Sequence, residues 1–238
     1  MRQLAFAAAV AAAAAAVPAF GQALFQTDVD ASDVRAVPIE RPAPNFPGGV
    51  RTGQEGWVRV NFVVTPDGRA TDPIVVEAAG GAPFEHAVRE MLDRWRFEPP
   101  GAHEIGNNVI DAYFEIDRGR DAASANFIRR SRRIVRHVYD EEAGPAREQL
   151  DAAVELGGWN LYESTMLNLM AGRVAALEGD DFGKLEHYRR AFAMNVRNSV
   201  SGEDRRDLLA RIFEVEYAKS QYSAAAATAA ALAAEPGG

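Results

Sequence analysis

The chain has 238 residues, 47% of them hydrophobic and 25% charged, with a formal net charge of −8 and no cysteine. This is the composition of a folded globular protein. The negative charge, spread over both halves, argues against a nucleic-acid partner. Without cysteine neither disulfides nor thiolate metal sites are available, so stability must come from packed cores.

The first residues read as a secretory leader. Arg2 supplies a positive charge, residues 4–20 are an unbroken Ala-rich apolar run, and Gly21-Gln22-Ala23 places small residues at both cleavage positions. Cleavage after Ala23 would take the net charge from −8 to −9 by loss of Arg2. An uncleaved leader of about 17 apolar residues would instead tie the chain to the inner membrane, at the lower limit of a membrane span. Either way the remainder is expected to lie outside the cytoplasm. Residues 24–45 show no sustained periodicity and contain Pro38, Pro42 and Pro44, which predicts an extended linker whose roughly 22 residues reach at most about 70 Å.

From Trp57 the pattern has period two. Val58, Val60, Phe62 and Val64 share one face while Arg59 and Asn61 take the other, which predicts a half-buried strand. Thr65-Pro66-Asp67-Gly68 is a turn sequence, and Ile74 and Val76 then alternate with Val75 and Glu77 to complete a hairpin. Pro83 suits a first helical turn, and Phe84, Val88, Met91, Leu92 and Trp95 recur at helical spacing. Trp95-Arg96-Phe97 either ends that helix or begins a short strand. Ile110, Ala112, Phe114 and Ile116 alternate with Val109, Asp111, Tyr113 and Glu115 as another strand with one apolar face. The expected order is strand, strand, helix, strand.

Beyond Arg118 the strand signals vanish. Helices are expected over residues 127–139, 146–156, 161–177, 182–194, 205–217 and 222–234, as antiparallel pairs with short joins. Leu177-Glu178-Gly179-Asp180-Asp181-Phe182 with Tyr188 and Ala191 is echoed by Ala218-Lys219-Ser220-Gln221-Tyr222 with Thr228 and Ala231. The offset of about 40 residues lies within the range of helical repeats. This half therefore resembles degenerate tetratricopeptide hairpins, with Gly179 at the turn and Phe182 and Tyr222 opening second helices. The Trp-Leu-Gly start of that consensus is not preserved.

Four marks in the first half resemble the C-terminal domain of TonB energy-transducing proteins. They are Asn45-Phe46-Pro47 at the entry, Glu55-Gly56-Trp57-Val58-Arg59-Val60 as a Glu-Gly-x-Val-x-Val strand, the Thr65-to-Arg69 hairpin turn, and the helix closing on Arg94-Trp95-Arg96-Phe97-Glu98-Pro99. The organisation expected is thus a leader at 1–23, a linker at 24–43, an α+β TonB C-terminal-like domain at 44–118 and an all-α tetratricopeptide-like domain at 124–235. The leader and short spacer depart from founding members, which use an uncleaved N-terminal helix and a long Pro-rich linker.

The resemblance implies protein–protein interaction in transport across the outer membrane: a receptor peptide adds as an extra strand to a free sheet edge. By position that edge is residues 109–116, with Val109, Asp111, Tyr113 and Glu115 as contacts. Arg94 and Arg96 are further candidates, although pairing with carboxylates or covering apolar surface is the plainer role for them. The helical repeats would dock a second envelope protein. The alternative is a non-energised scaffold or assembly factor in which the helical half does the recognising. Arg129, Arg130, Arg132, Arg133 and Arg136 form a basic run that reads as a solvated helix face. His86, His103, His137 and His187 lack ligand spacing, and no nucleophile or phosphate-loop motif is present. Neither enzyme activity, cofactor, metal nor small-molecule substrate is expected. If the leader is removed, mass determination of the mature protein from its native envelope will give Leu24 as the first residue; a mature chain still beginning at Met1 would identify an anchor.

Overall fold

The computed structural model describes residues 24–50, 53–117, 123–194 and 202–235; the expected leader lies outside them. Among the described residues no helix is long and apolar enough to cross a membrane. The chain divides into two compact units. Among the described residues, one holds 24–50, 53–117 and 158–161, and the other holds 123–157, 162–194 and 202–235.

The first unit is built on a four-stranded antiparallel sheet in the order β1-β6-β3-β4. Its strands are β1 (Leu24–Asp30), β3 (Gly56–Val64), β4 (Ala70–Ala79) and β6 (Ile105–Asp117); helix α1 (Ala82–Arg94) follows β4. A second, two-stranded sheet pairs β2 (Pro38–Glu40) with β5 (Arg96–Phe97). Trp95-Arg96-Phe97 thus begins a strand. The Thr65-to-Arg69 turn closes because the Thr65 carbonyl accepts the Gly68 N–H at 2.9 Å and the Thr65 N–H donates to the Arg69 carbonyl at 2.9 Å. Gly68 has φ +79° and its carbonyl accepts the Phe97 N–H, so any Cβ there would strike the Phe97 carbonyl.

The core forms where the period-two face of the sheet meets the period-3.6 face of α1. Val58, Val60, Phe62 and Val64 of β3 and Ile110, Ala112 and Phe114 of β6 pack with Phe84, Val88, Met91, Leu92 and Trp95. Phe46 sits edge-on to Phe84 and Phe114 at 5.8 and 6.1 Å, which packs the aromatic residue of the entry Phe-Pro pair against the core.

Residues 24–43 are not a free linker. Leu24–Asp30 is a full sheet strand, and the stretch after it is strapped to the domain. Asn108, fully buried, accepts the Arg35 and Ala36 N–H groups on Oδ1 at 3.0 and 3.1 Å and donates from Nδ2 to the Phe62 and Ile105 carbonyls. Farther on, Trp95 Nε1 donates to the Pro42 carbonyl at 3.1 Å, and Glu98 N donates to the Val37 carbonyl at 2.9 Å. Composition hid this because the partners that hold the segment lie more than 50 residues away.

The second unit contains α2 (Ala125–Tyr139), α3 (Ala143–Leu156), α4 (Leu161–Leu177), α5 (Asp181–Met194), α6 (Gly202–Ala218) and α7 (Tyr222–Ala234) among its described residues. The Ser124 hydroxyl caps α2 by accepting the Phe127 N–H at 3.2 Å. Helix α2 packs on α3, α5 on α6, and α6 on α7. The Tyr188 ring of α5 lies directly on the backbone of Gly172 in α4, in the space that a Cβ at position 172 would occupy. Glu216 ties three helices together: Arg189 of α5 donates to its Oε1 at 2.7 Å, and Thr228 of α7 donates to its Oε2 at 2.7 Å. Phe182 and Tyr222, the aromatic positions of the repeat echo, are 67% and 62% exposed and take no part in that core.

His187 on α5 has its pKa lowered from the ordinary 6.5, first by burial and then by the Arg190 and Arg147 charges. The unfolded chain therefore binds a proton that the folded unit refuses, and stability is lost as pH falls from 6.5 toward the lowered folded value. Lowering the pH from about 7 to about 5.5 should reduce the melting temperature of the helical unit, and His187→Gln should flatten that response. Glu178, also shifted downward by Arg147, titrates from a starting value of 4.5 and stays outside this window.

Candidate peptide-binding edge

The residues expected to line a receptor edge lie on β6, and β6 is not at the edge. It is flanked by β3 on one side and by β1 on the other. β1 runs antiparallel to β6, with Asp30 opposite Asp111, Asp28 opposite Tyr113, and Gln26 opposite Glu115. The expected free edge is thus occupied by the protein's own N-terminal segment. The physical reason is that a row of unpaired N–H and C=O groups is costly to leave bare beside an extended segment able to pair with it.

The backbone geometry shows which groups make that row. Glu55, buried just before β3, accepts the Ile116 N–H on Oε1 at 3.0 Å and so stands in for a strand partner on the β3 side. Alternation along β6 then turns the N–H and C=O groups of Asp111, Tyr113 and Glu115 toward β1. Val109 continues this row, its N–H reaching the Asp33 carbonyl at 3.3 Å. The predicted contact residues therefore do share one hydrogen-bonding side.

Their side chains are less free than the sequence suggested. Asp111 accepts two hydrogen bonds from Arg59, at 3.0 and 2.8 Å, and a third from Trp57 Nε1 at 3.0 Å. The Arg59 guanidinium also covers the Trp57 ring at 5.4 Å. Burial, with Asp111 and Asp30 nearby, pushes the Tyr113 hydroxyl pKa well above its ordinary value. Tyr113 and Glu115 are both buried. Tyr113 and Glu115 thus do not face solvent as expected, and Asp111 is held by its cross-strand neighbours.

Arg94 and Arg96 bind the chain's own carbonyls. Arg94 donates to Ala43 at 3.2 Å and to Glu90 at 3.3 Å, and Arg96 donates to Asp93 at 2.9 Å and to Trp95. With Trp95 on Pro42 and Arg41 over the Trp95 ring at 5.5 Å, the Arg-Trp-Arg sequence is a clasp for the incoming chain. Asn108 is the structural residue that sequence reading missed. Its only signal was an amide in the middle of an otherwise alternating strand.

The fold and these positions define a small α+β module that presents one hydrogen-bonding strand row. Residues 43–112 form a TonB C-terminal domain, matching the family model for the Gram-negative bacterial TonB protein C-terminal. Protein TonB of Escherichia coli strain K12 is 38% identical over 72 residues, covering 29% of this chain and 30% of that protein. Protein TonB of Pseudomonas aeruginosa is 38% identical over 69 residues, covering 29% of this chain and 20% of that one. The chain thus spans less than a third of the length of these relatives. A solution NMR structure of the Pseudomonas aeruginosa TonB C-terminal domain is 31% identical, covering 37% of this chain and 94% of that one, with a TM-score of 0.31.

Asp111→Ala should destabilise the sheet unit by about 2–3 kcal/mol, because it strands the Trp57 N–H and leaves Arg59 without its carboxylate. Urea unfolding followed by tryptophan fluorescence measures it. A loss below about 0.5 kcal/mol would mean the pair behaves as an ordinary surface ion pair.

Proposed function

We propose that this protein takes part in receptor-dependent transport across the outer membrane, by binding an extended segment of an outer-membrane receptor through β-strand addition at the β6 row. The single observation that carries this reading is the TonB C-terminal domain at residues 43–112, whose β6 directs a continuous row of backbone donors and acceptors away from β3. Strand addition draws affinity from that row and specificity from alternate side chains. Residues Val109, Asp111, Tyr113 and Glu115 are the proposed backbone contacts, while Arg94 holds the domain's own entry segment through the Ala43 carbonyl and Arg96 bonds the carbonyls of Asp93 and Trp95.

The helical unit offers a second surface for an envelope protein. The Tyr188–Gly172 contact between α4 and α5 favours tetratricopeptide-like hairpins there, and half-buried Phe213 with exposed Tyr217 and Tyr222, at ring spacings of 5.8 and 5.7 Å, offers an aromatic contact surface. These also support the scaffold reading, in which recognition belongs to the helices. The protein is proposed to act in the periplasm without cofactor or metal, as a binding protein and not as an enzyme.

A photo-crosslinking amino acid at position 109, used in the native envelope, separates the two readings. An adduct with an outer-membrane receptor is expected. If the adducts contain no receptor while a probe at position 217 captures an envelope protein, the scaffold reading replaces this one.

A further inference from the structure

The strand β1 occupies the same backbone row that the proposed receptor segment needs. It does so over seven consecutive pairs, from Leu24 opposite Asp117 to Asp30 opposite Asp111. We infer, on the basis of the strand-addition reading, that β1 is a displaceable internal occupant of the peptide edge, released when an extended receptor segment of similar side-chain pattern takes its place.

Three features of the structure make β1 removable. It is an outer strand, paired on one side only. Asp28 and Asp30 are exposed, Thr27 is half-buried, and Val29 packs against the core only in part. Asp30 also stands directly opposite Asp111, a like-charge pairing that weakens a sheet. The chain beyond β1 is anchored independently. The Ala31 carbonyl accepts the Val34 N–H at 3.1 Å in a tight turn, and Asn108 then holds Arg35 and Ala36. A break at Ala31-Ser32 therefore frees β1 while the strap, β2 and the Trp95 clasp stay in place.

The other outer strand is a poorer receptor edge. β4 contains Pro73, which has no N–H to offer, and Asp72 at φ +50°. Its pairing with β3 shifts register twice. Proline and irregular pairing are the usual means of blunting an exposed edge. The stretch of β6 that β1 covers, Asp111 to Asp117, pairs without a register shift.

β1 also describes its own replacement. Thr27 and Val29 lie opposite Phe114 and Ala112 on the α1 side, while Asp28 and Asp30 lie on the other. An occupant must therefore run antiparallel to β6, carry β-branched or apolar residues at alternate positions, and tolerate polar residues between them. As a tethered strand, β1 competes at a high effective concentration and lowers the apparent affinity of any free peptide.

The absence of cysteine permits a clean test in the full-length chain. Val29 and Ala112 are directly opposed at a non-hydrogen-bonded position, where Cα atoms lie about 4.5 Å apart. That spacing accepts a disulfide. The probe is a fluorescent synthetic peptide of residues 24–34, read by anisotropy. The V29C/A112C chain should bind it when reduced and lose binding when oxidised. Asp28→Pro, which removes a β1 ladder N–H, should bind roughly tenfold tighter or more than wild type. Equal binding by oxidised and reduced chains, or an Asp28→Pro chain no tighter than wild type, overturns displacement. Neither result touches strand addition as such, which is decided by the crosslink from position 109. Should the cysteine pair fail to fold, the Asp28→Pro comparison alone decides.

Discussion

Strand β6 sits between two neighbours, and each of its backbone polar groups needs a partner on one side or the other. On the β3 side the ladder runs from Phe114 to Ile105, with Glu55 extending it to Ile116. On the other side the partner is β1. A strand with this much apolar surface cannot sit in the core with one row of N–H and C=O groups bare, because each orphaned buried group costs on the order of 1–3 kcal/mol. Most other features of the sheet unit follow from meeting this requirement. β1 must be brought back across the domain, so the segment after it must be strapped down, and Asn108 and Trp95 supply the attachment.

The same requirement relates stability to recognition. The groups that would bind a receptor segment under the proposed strand addition are the groups that keep the free domain ordered, so such binding would exchange one strand for another and leave no backbone row open. Side chains on the face away from α1 add to this. Asp111 is engaged by Arg59 and Trp57, and that cluster stays in place whichever strand pairs with the backbone. The helical unit rests on different physics. Its joins are made by close packing at Gly172 and Tyr188 and by the shared Glu216 carboxylate, which is 2% exposed and must keep its partners to be tolerated there.

Much of this is legible in the chain alone. The alternation from Trp57 to Val64 and from Val109 to Ile116, the stripe from Phe84 to Trp95 and the helical spacing after Ala125 each mark an element, because burial selects side chains at period 2 or 3.6 locally. The TonB-like motif is legible for the same reason: its residues act on near neighbours or on fixed turns. The partner of the β6 row is not. Residues 24–30 carry mixed polar and apolar side chains, which resemble a linker, and a strand held by backbone hydrogen bonds needs no strong side-chain signature. Arg94 could not be assigned either, since a guanidinium serving a carbonyl 51 residues away looks the same in sequence as one awaiting a partner. The sequence by itself determined the elements, their buried faces and the family motif, all of which depend on local periodicity. Only the tertiary structure decided that β6 is an inner strand and that β1 closes its edge, because strand order is set by long-range backbone pairing that leaves almost no trace in side-chain pattern.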